Sequence, residues 1–209
     1  MRNRLREFLI AASRQSRSEM RSSMKIGILA VQGAFAEHEQ MLEQLGAEYI
    51  ELRKCEDVRQ SYDGLILPGG ESTVQGKLMR ELDMFDTIQS QIKNGMPVLA
   101  TCAGAILLAQ QLSNDAATHL ATLPAVVRRN AYGRQLGSFS VDEQIEGIGT
   151  FPMRFIRAPY IEKVLDDTKV LAKVDGNIVM VENKNQLAMS FHPELTSDTR
   201  IHEMFLKKI

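Results

Sequence analysis

Tryptophan is absent from the 209-residue chain, cysteine occurs twice, aromatic residues make up 6%, and 25 basic groups nearly cancel 26 acidic ones. Each scarcity removes a class of protein. Two cysteines, Cys55 and Cys102, allow at most one bridge, which excludes a disulfide scaffold and fits a reduced, cytoplasmic setting. Apolar runs such as residues 64–67 and 105–109 fall far short of the roughly 20 residues needed to span a bilayer. No membrane-crossing segment is expected. What remains, 44% hydrophobic and 24% charged, is the profile of an ordinary globular domain. A chain of this size buries roughly 70% of the surface it exposes when unfolded, so its core needs no metal.

The charge balance conceals two unlike parts. Residues 1–23 hold six arginines against two glutamates, a net of +4, which leaves −5 for the other 186 residues. The apolar stretch 8–12 is short for a signal sequence, and no cleavage-like site follows it. An Arg- and Ser-rich segment could serve as an organellar transit peptide or as a phosphate-binding arm, but its two glutamates speak against both. The reading adopted is a basic extension, 1–23, that packs against nothing and is disordered, followed by one domain over 24–209 that starts naturally at Met24.

From Met24 onward the pattern changes. Residues 25–31 (KIGILAV) form an apolar run of strand length, and 34–45 place Phe35, Met41, Leu42 and Leu45 at helical spacing before Gly46. The theme repeats with strands at 49–52, 64–67 and 97–100 and helices at 72–82 and 103–112. Short all-apolar strands alternating with helices predict a three-layer α/β fold, with a mostly parallel sheet covered on both faces. In the second half strands dominate, at 125–128, 136–141, 153–156, 170–174, 178–181 and 187–191, and a helix over 198–208 closes the chain. These later strands are expected to extend or flank the same sheet.

Reactive side chains sit at three strand ends, where open α/β sheets bind ligands. Cys102 lies between a buried strand and a helix, flanked by Ala100 and Gly104. This is the arrangement of a nucleophile elbow: small neighbours permit a tight turn that pushes the central side chain out at a helix N-terminus, where a thiolate is favoured. The competing reading is a buried cysteine acting as a small hydrophobe. In Phe191-His192-Pro193-Glu194, an extended chain turns His192 and Glu194 to the same side, so the carboxylate can fix the imidazole tautomer. Alternatively, His192 is an ordinary satisfied histidine. Gly69 and Gly70, followed by Glu71, Ser72 and Thr73, can bring backbone N–H groups close to an oxyanion at Cys102, helped by the N–H of Ala103; the plain alternative is a strand-to-helix turn with a cap. No phosphate-loop or dinucleotide spacing is present.

Together these segments, PGGES, TCAG and FHPEL, resemble the class I glutamine amidotransferase family, a flavodoxin-like architecture with a Cys-His-Glu triad. A narrower similarity, to the glutaminase subunits of bacterial-type pyridoxal 5′-phosphate synthases, rests on residues 30–38 (AVQGAFAEH), 128–135 (RRNAYGRQ), 155–159 (FIRAP) and 192–196 (HPELT). It covers essentially residues 24–209. The resemblance implies that Cys102 is the nucleophile, His192 the base and acid, and Glu194 the residue orienting it. It also implies a glutamine site lined by Gly69, Gly70, Glu71, Ser72, Arg129, Ile156 and Arg157, with Gly70 and Ala103 at the oxyanion. Arginine suits the carboxylate of a free amino acid.

The implied reaction is hydrolysis of L-glutamine to glutamate and ammonia, without metal or cofactor. The implied partner is a synthase subunit that takes the ammonia, in a cytoplasmic assembly of twelve plus twelve subunits; no nucleic acid or membrane is involved. Gln32, Gly33 and His38 are partner-contact candidates by position, with a surface helix start as the alternative. Ala100, Ala105, the Leu123-Pro124-Ala125 segment and Arg128 depart from the family pattern. Two other classes stay open: a cysteine peptidase or γ-glutamyl hydrolase on the same architecture, and a catalytically silent docking module.

Overall fold

A computed structural model describes residues 24–131 and 137–209. The expected extension over 1–23 lies outside the described residues, as do residues 132–136 of the RRNAYGRQ and 136–141 segments. The chain opens with β1 (Lys25–Leu29), α1 (Phe35–Leu45), β2 (Glu48–Leu52), α2 (Cys55–Val58) and β3 (Gly64–Leu67). Next come α3 (Ser72–Glu81), α4 (Phe85–Lys93), β4 (Val98–Thr101), α5 (Ala103–Leu108), β5 (Ala109–Leu112) and β6 (Leu123–Arg128). The remainder comprises β7 (Ser138–Ile145), β8 (Gly149–Ile156), β9 (Tyr160–Val164), β10 (Lys169–Val174), β11 (Asn177–Asn183), β12 (Gln186–Met189), a 3₁₀ turn at Pro193–Leu195 and α6 (Arg200–Leu206).

Ten strands form one sheet in the order β2-β1-β3-β4-β12-β11-β9-β6-β5, with β10 paired to β11. From β2 to β12 every neighbour is parallel. Beyond β12 the pairing is antiparallel until β5 joins β6 in parallel. The parallel strands β3, β4 and β12 are buried along their whole length, as all-apolar runs covered on both faces should be. Alternate side chains serve opposite cores. Leu65, Leu67, Val98 and Ala100 join Met79, Ile88, Ile92 and Leu107 beneath α3 to α5. Ile66 and Leu99 meet Leu42 of α1, Phe205 of α6 and Phe151 of the β7–β8 hairpin on the other side. Removing either fully buried Phe151 or Phe205 should cost about 3–5 kcal/mol.

The structure departs from the expected elements in ways that shape the site. The helix expected over 103–112 ends at Leu108, where Ala109 turns extended (φ −57°, ψ 133°) and the chain enters β5. The carbonyls of Leu107 and Leu108 accept N–H bonds from Leu120 and Thr122, so tertiary partners replace another helical turn. The strand expected over 136–141 is described from Ser138 and runs on to Ile145, and that expected over 153–156 starts at Gly149; together they form a two-stranded hairpin flanking the main sheet. Two helices, α2 and α4, and strands β5 and β9 were not expected. The closing helix spans Arg200–Leu206 and not 198–208.

Candidate active site

The ends of β1, β3, β4 and β12 face one cleft of about 520 Å³, beside the point where the strand order reverses between β1 and β3. Each end delivers one part. Gln32 and Gly33 follow β1, Gly69 and Gly70 follow β3, Cys102 follows β4 and His192 follows β12; all of them line the cleft.

Cys102 occupies φ 47°, ψ −100°, a conformation costing a non-glycine residue on the order of 1–3 kcal/mol. Its surroundings enforce it. The Cys102 N–H donates to the Met189 carbonyl at 2.8 Å, and its own carbonyl accepts from Ala105 and Ile106. Gly104 permits the following turn to press on the sheet, since a Cβ there would lie 2.1 Å from the Leu67 carbonyl oxygen. The elbow expected from small neighbours is therefore present. The helix behind it has six residues, so it supplies less dipole than a longer one would. The thiol sits 3.9 Å from the Ile156 carbonyl oxygen.

His192 Nδ1 lies 2.7 Å from Glu194 Oε1. The pairing is the one expected, but the backbone route differs: Pro193–Leu195 form a 3₁₀ turn and not an extended segment, with Pro193 at its first position. The turn brings the carboxylate back under the ring. Burial pulls the His192 pKa down, but hydrogen bonds to Cys102 and Glu194, with their charges, overcome it and raise the pKa to about 10. The shift favours the protonated, imidazolium form of the ring. Phe155 and Phe151 pack on Phe191 with ring centroids 5.7 and 6.1 Å away, and the His192 N–H donates to the Arg154 carbonyl at 2.8 Å. The hairpin thus locks onto the end of β12 and carries Ile156 and Arg157 to the cleft.

The glycine loop is held from the β1 side. The Ala34 N–H donates to the Gly69 carbonyl, the Glu71 N–H to Gln32 Oε1, and Gln75 Nε2 to the Gln32 and Pro68 carbonyls. Gly69, Gly70, Glu71 and Ser72 all line the cleft. Ala103 is buried and is not among the lining residues. Arg129 reaches the rim, its guanidinium bonded to Asp115 at 2.7 Å and to the Thr73 hydroxyl at 3.1 Å. The Ala117 N–H and Arg129 hold the Asp115 carboxyl below the usual range. Arg157, with positive φ (44°), donates its N–H to the Gly137 carbonyl.

The SNO glutamine amidotransferase family model matches residues 28–209. The chain belongs to that family. It is 62% identical to the pyridoxal 5′-phosphate synthase subunit PdxT of Desulfitobacterium hafniense (strain DSM 10664 / DCB-2) over 186 residues, 89% of this chain and 94% of the relative. It is 52% identical to the PdxT of Streptococcus pneumoniae (strain CGSP14), covering 88% of this chain and 96% of that one. A crystal structure of a glutamine amidotransferase superposes with a TM-score of 0.83 at 43% identity, covering 88% of this chain and 97% of that chain. The chain is thus an enzyme of the glutamine amidotransferase class.

Sequence reasoning missed three features of this SNO glutamine amidotransferase site. Asp115 and Thr73 anchor Arg129 across the rim, and Gln75 pins the glycine loop from within α3. His38, expected among the partner contacts, is fully buried and lies 3.6 Å from Glu194. Its position in the helix contained the signal, because His38 falls three residues from both Phe35 and Met41 on the inward face of α1. Among the described residues no cluster of side chains could hold a metal ion, and no helix is long and apolar enough to cross a membrane.

Proposed function

We propose that the protein hydrolyses L-glutamine to L-glutamate and ammonia, and that it supplies the ammonia to a synthase subunit that makes pyridoxal 5′-phosphate. The observation that carries the reaction is the strained Cys102 at a cleft shared with a His192–Glu194 pair at 2.7 Å. The Cys102 thiolate attacks the side-chain amide carbon, and the N–H groups of Gly70 and Ala103 receive the oxyanion. His192, as imidazolium, gives its proton to the departing ammonia while Glu194 keeps the ring oriented. Neutral His192 then takes a proton from water, whose oxygen attacks the thioester carbon and releases glutamate and the thiolate.

Glutamine is held at the Gly69–Ser72 loop, with Arg129 placed for its α-carboxylate and Ile156 and Arg157 along the opposite wall. The names of the PdxT relatives support the synthase partner. The resemblance in sequence extends this to an assembly of twelve copies of each subunit over a catalytic domain 24–209. Free Cys55 and Cys102 are in keeping with a cytoplasmic site of action. The deciding experiment measures ammonia release from glutamine by the purified protein with and without the synthase subunit. Activity that rises with the partner and vanishes in Cys102→Ala is expected. Hydrolysis of peptides or γ-glutamyl conjugates without action on glutamine overturns the assignment.

A further inference from the structure

Behind Glu194 lies a group of buried polar side chains that the proposed reaction leaves without a task. Glu194 Oε1 accepts from His192, whereas Oε2 is buried and has no hydrogen-bond partner. His38 Nε2 lies 3.6 Å from that oxygen, and both side chains are wholly shielded from solvent. The same nitrogen is 3.3 Å from the Thr101 hydroxyl, which in turn accepts the Gly69 N–H at 3.0 Å. On its far side, His38 Nδ1 is 2.9 Å from His202 Nε2. The end of β4 and α6 thus meet α1 at His38, which itself faces the unused carboxylate oxygen.

The hydrogen-bond inventory, together with the nearby carboxylate, decides which way the protons point. Burial drives the pKa of both rings down, so each carries a single N–H. If His202 donates to His38 Nδ1, the His38 proton sits on Nε2, facing Glu194 and Thr101. His202 Nδ1 is then a bare lone pair, and the Thr101 oxygen accepts from both His38 and Gly69, which leaves its own proton without an acceptor among the described residues. The reverse arrangement strands an N–H at His202 Nδ1 with no acceptor and turns a His38 lone pair toward the carboxylate. Either arrangement leaves one buried donor unplaced, the Thr101 hydroxyl proton or the His202 Nδ1–H, so the attraction of an N–H to the carboxylate, against the repulsion of a lone pair, separates the two. The first arrangement is therefore the stable one.

We propose that His38 is a positioning residue of this enzyme: its Nε2–H, set by His202, braces Glu194 Oε2 so that Oε1 stays aligned with His192. This rests on the triad reading above. At 3.6 Å the contact is longer than a hydrogen bond, as contacts of catalytic groups often are before substrate binds. Thr101 extends the bracing to the glycine loop, because its hydroxyl binds both His38 and Gly69.

The full chain, assayed with its synthase subunit on glutamine, provides the test through His38→Leu, His38→Asn and His38→Gln. A glutamine side chain can place an N–H where Nε2 stood; asparagine reaches only the Nδ1 position. Leu and Asn should lower kcat about 10- to 100-fold with KM nearly unchanged, and Gln should recover most of the loss. A merely structural role predicts no such split between Asn and Gln. Folded Leu and Asn variants with wild-type kcat, or Asn and Gln impaired alike, overturn the proposal. Should the Leu and Asn variants not fold, His202→Leu, which removes the donor that sets the tautomer, should lower kcat without moving KM, and an unchanged kcat counts against the proposal. Cys102→Ala, run alongside, separates the two readings: residual glutaminase there defeats the triad itself, whereas a dead Cys102→Ala with unaffected His38 variants defeats the bracing alone.

Discussion

Adding one methyl group at Gly69 should silence the enzyme while leaving it folded. A Cβ at that position would stand 2.2 Å from His192 Cε1 and 2.9 Å from Nδ1. Ordinary carbon–carbon contact begins near 3.5 Å, so the imidazole or the loop must retreat by about 1.3 Å. The His192–Glu194 contact is only 2.7 Å long, and a displacement of that size breaks it. Misplacing a catalytic group by about 1 Å costs on the order of 100-fold in rate, whereas overpacking costs about 1–3 kcal/mol of stability. Gly46→Ala provides the contrast. That residue has φ 70° with no neighbour within 4 Å, so its variant bears backbone strain of about 1–2 kcal/mol at a distance from the cleft. Glutaminase assays with the synthase subunit, paired with thermal melts, should show Gly69→Ala losing about 100-fold in kcat and Gly46→Ala losing stability only. Wild-type turnover in a folded Gly69→Ala protein would refute the proposed role of His192 packed against the loop.

Four other outcomes are expected. Glu194→Gln should reduce kcat about 10- to 100-fold, the effect of losing one charged hydrogen bond, and so less than Cys102→Ala; equal and complete loss in both would contradict an orienting role. With His192 raised to about 10, kcat/KM should fall on the alkaline side near that pH as the acid is lost, and an alkaline limb near neutrality would count against the imidazolium. His202, held neutral by burial at about 4, binds a proton in the unfolded chain before it does in the folded one. Its contribution is complete above pH 6.5 and disappears as pH falls toward 4, about 3 kcal/mol in all, so melts across that window should steepen with His202 and flatten in His202→Leu. Asp115→Asn should raise KM for glutamine by no more than about 5-fold with kcat intact, since the Arg129 pair it breaks is partly exposed.

The parallel half of the fold was readable because its strands are short, apolar on both faces and punctuated by glycine. Residues 25–31, 64–67 and 97–100 needed no tertiary information to be recognised. The second half was harder. Leu108 to Leu112 reads as helix continuing, and only pairing with β6 makes it a strand, a register set by residues more than ten positions away. Helix α4 escaped notice because Phe85, Ile88 and Ile92 form a thin stripe after a turn at Asp83 with positive φ. At the site, Cys102, His192 and Glu194 were visible from their local frames. Asp115, Thr73 and His38 were not, because their roles depend on Arg129 and Glu194, which lie 14 to 156 residues away in sequence.

The register between β4 and β12 has a consequence for synthesis. Thr101 pairs with Met189, and Cys102 and His192 follow these two adjacent parallel strands at the same end of the sheet. The nucleophile thus emerges from the ribosome roughly ninety residues before its base, at typical rates of about 5–20 residues per second. Until β12 slots in, β4 has an open edge and the Cys102 N–H lacks the Met189 carbonyl that holds its strained turn. An incomplete chain therefore lacks the contact that holds the Cys102 turn, and the approach of His192 to Cys102 is completed only with the last strand.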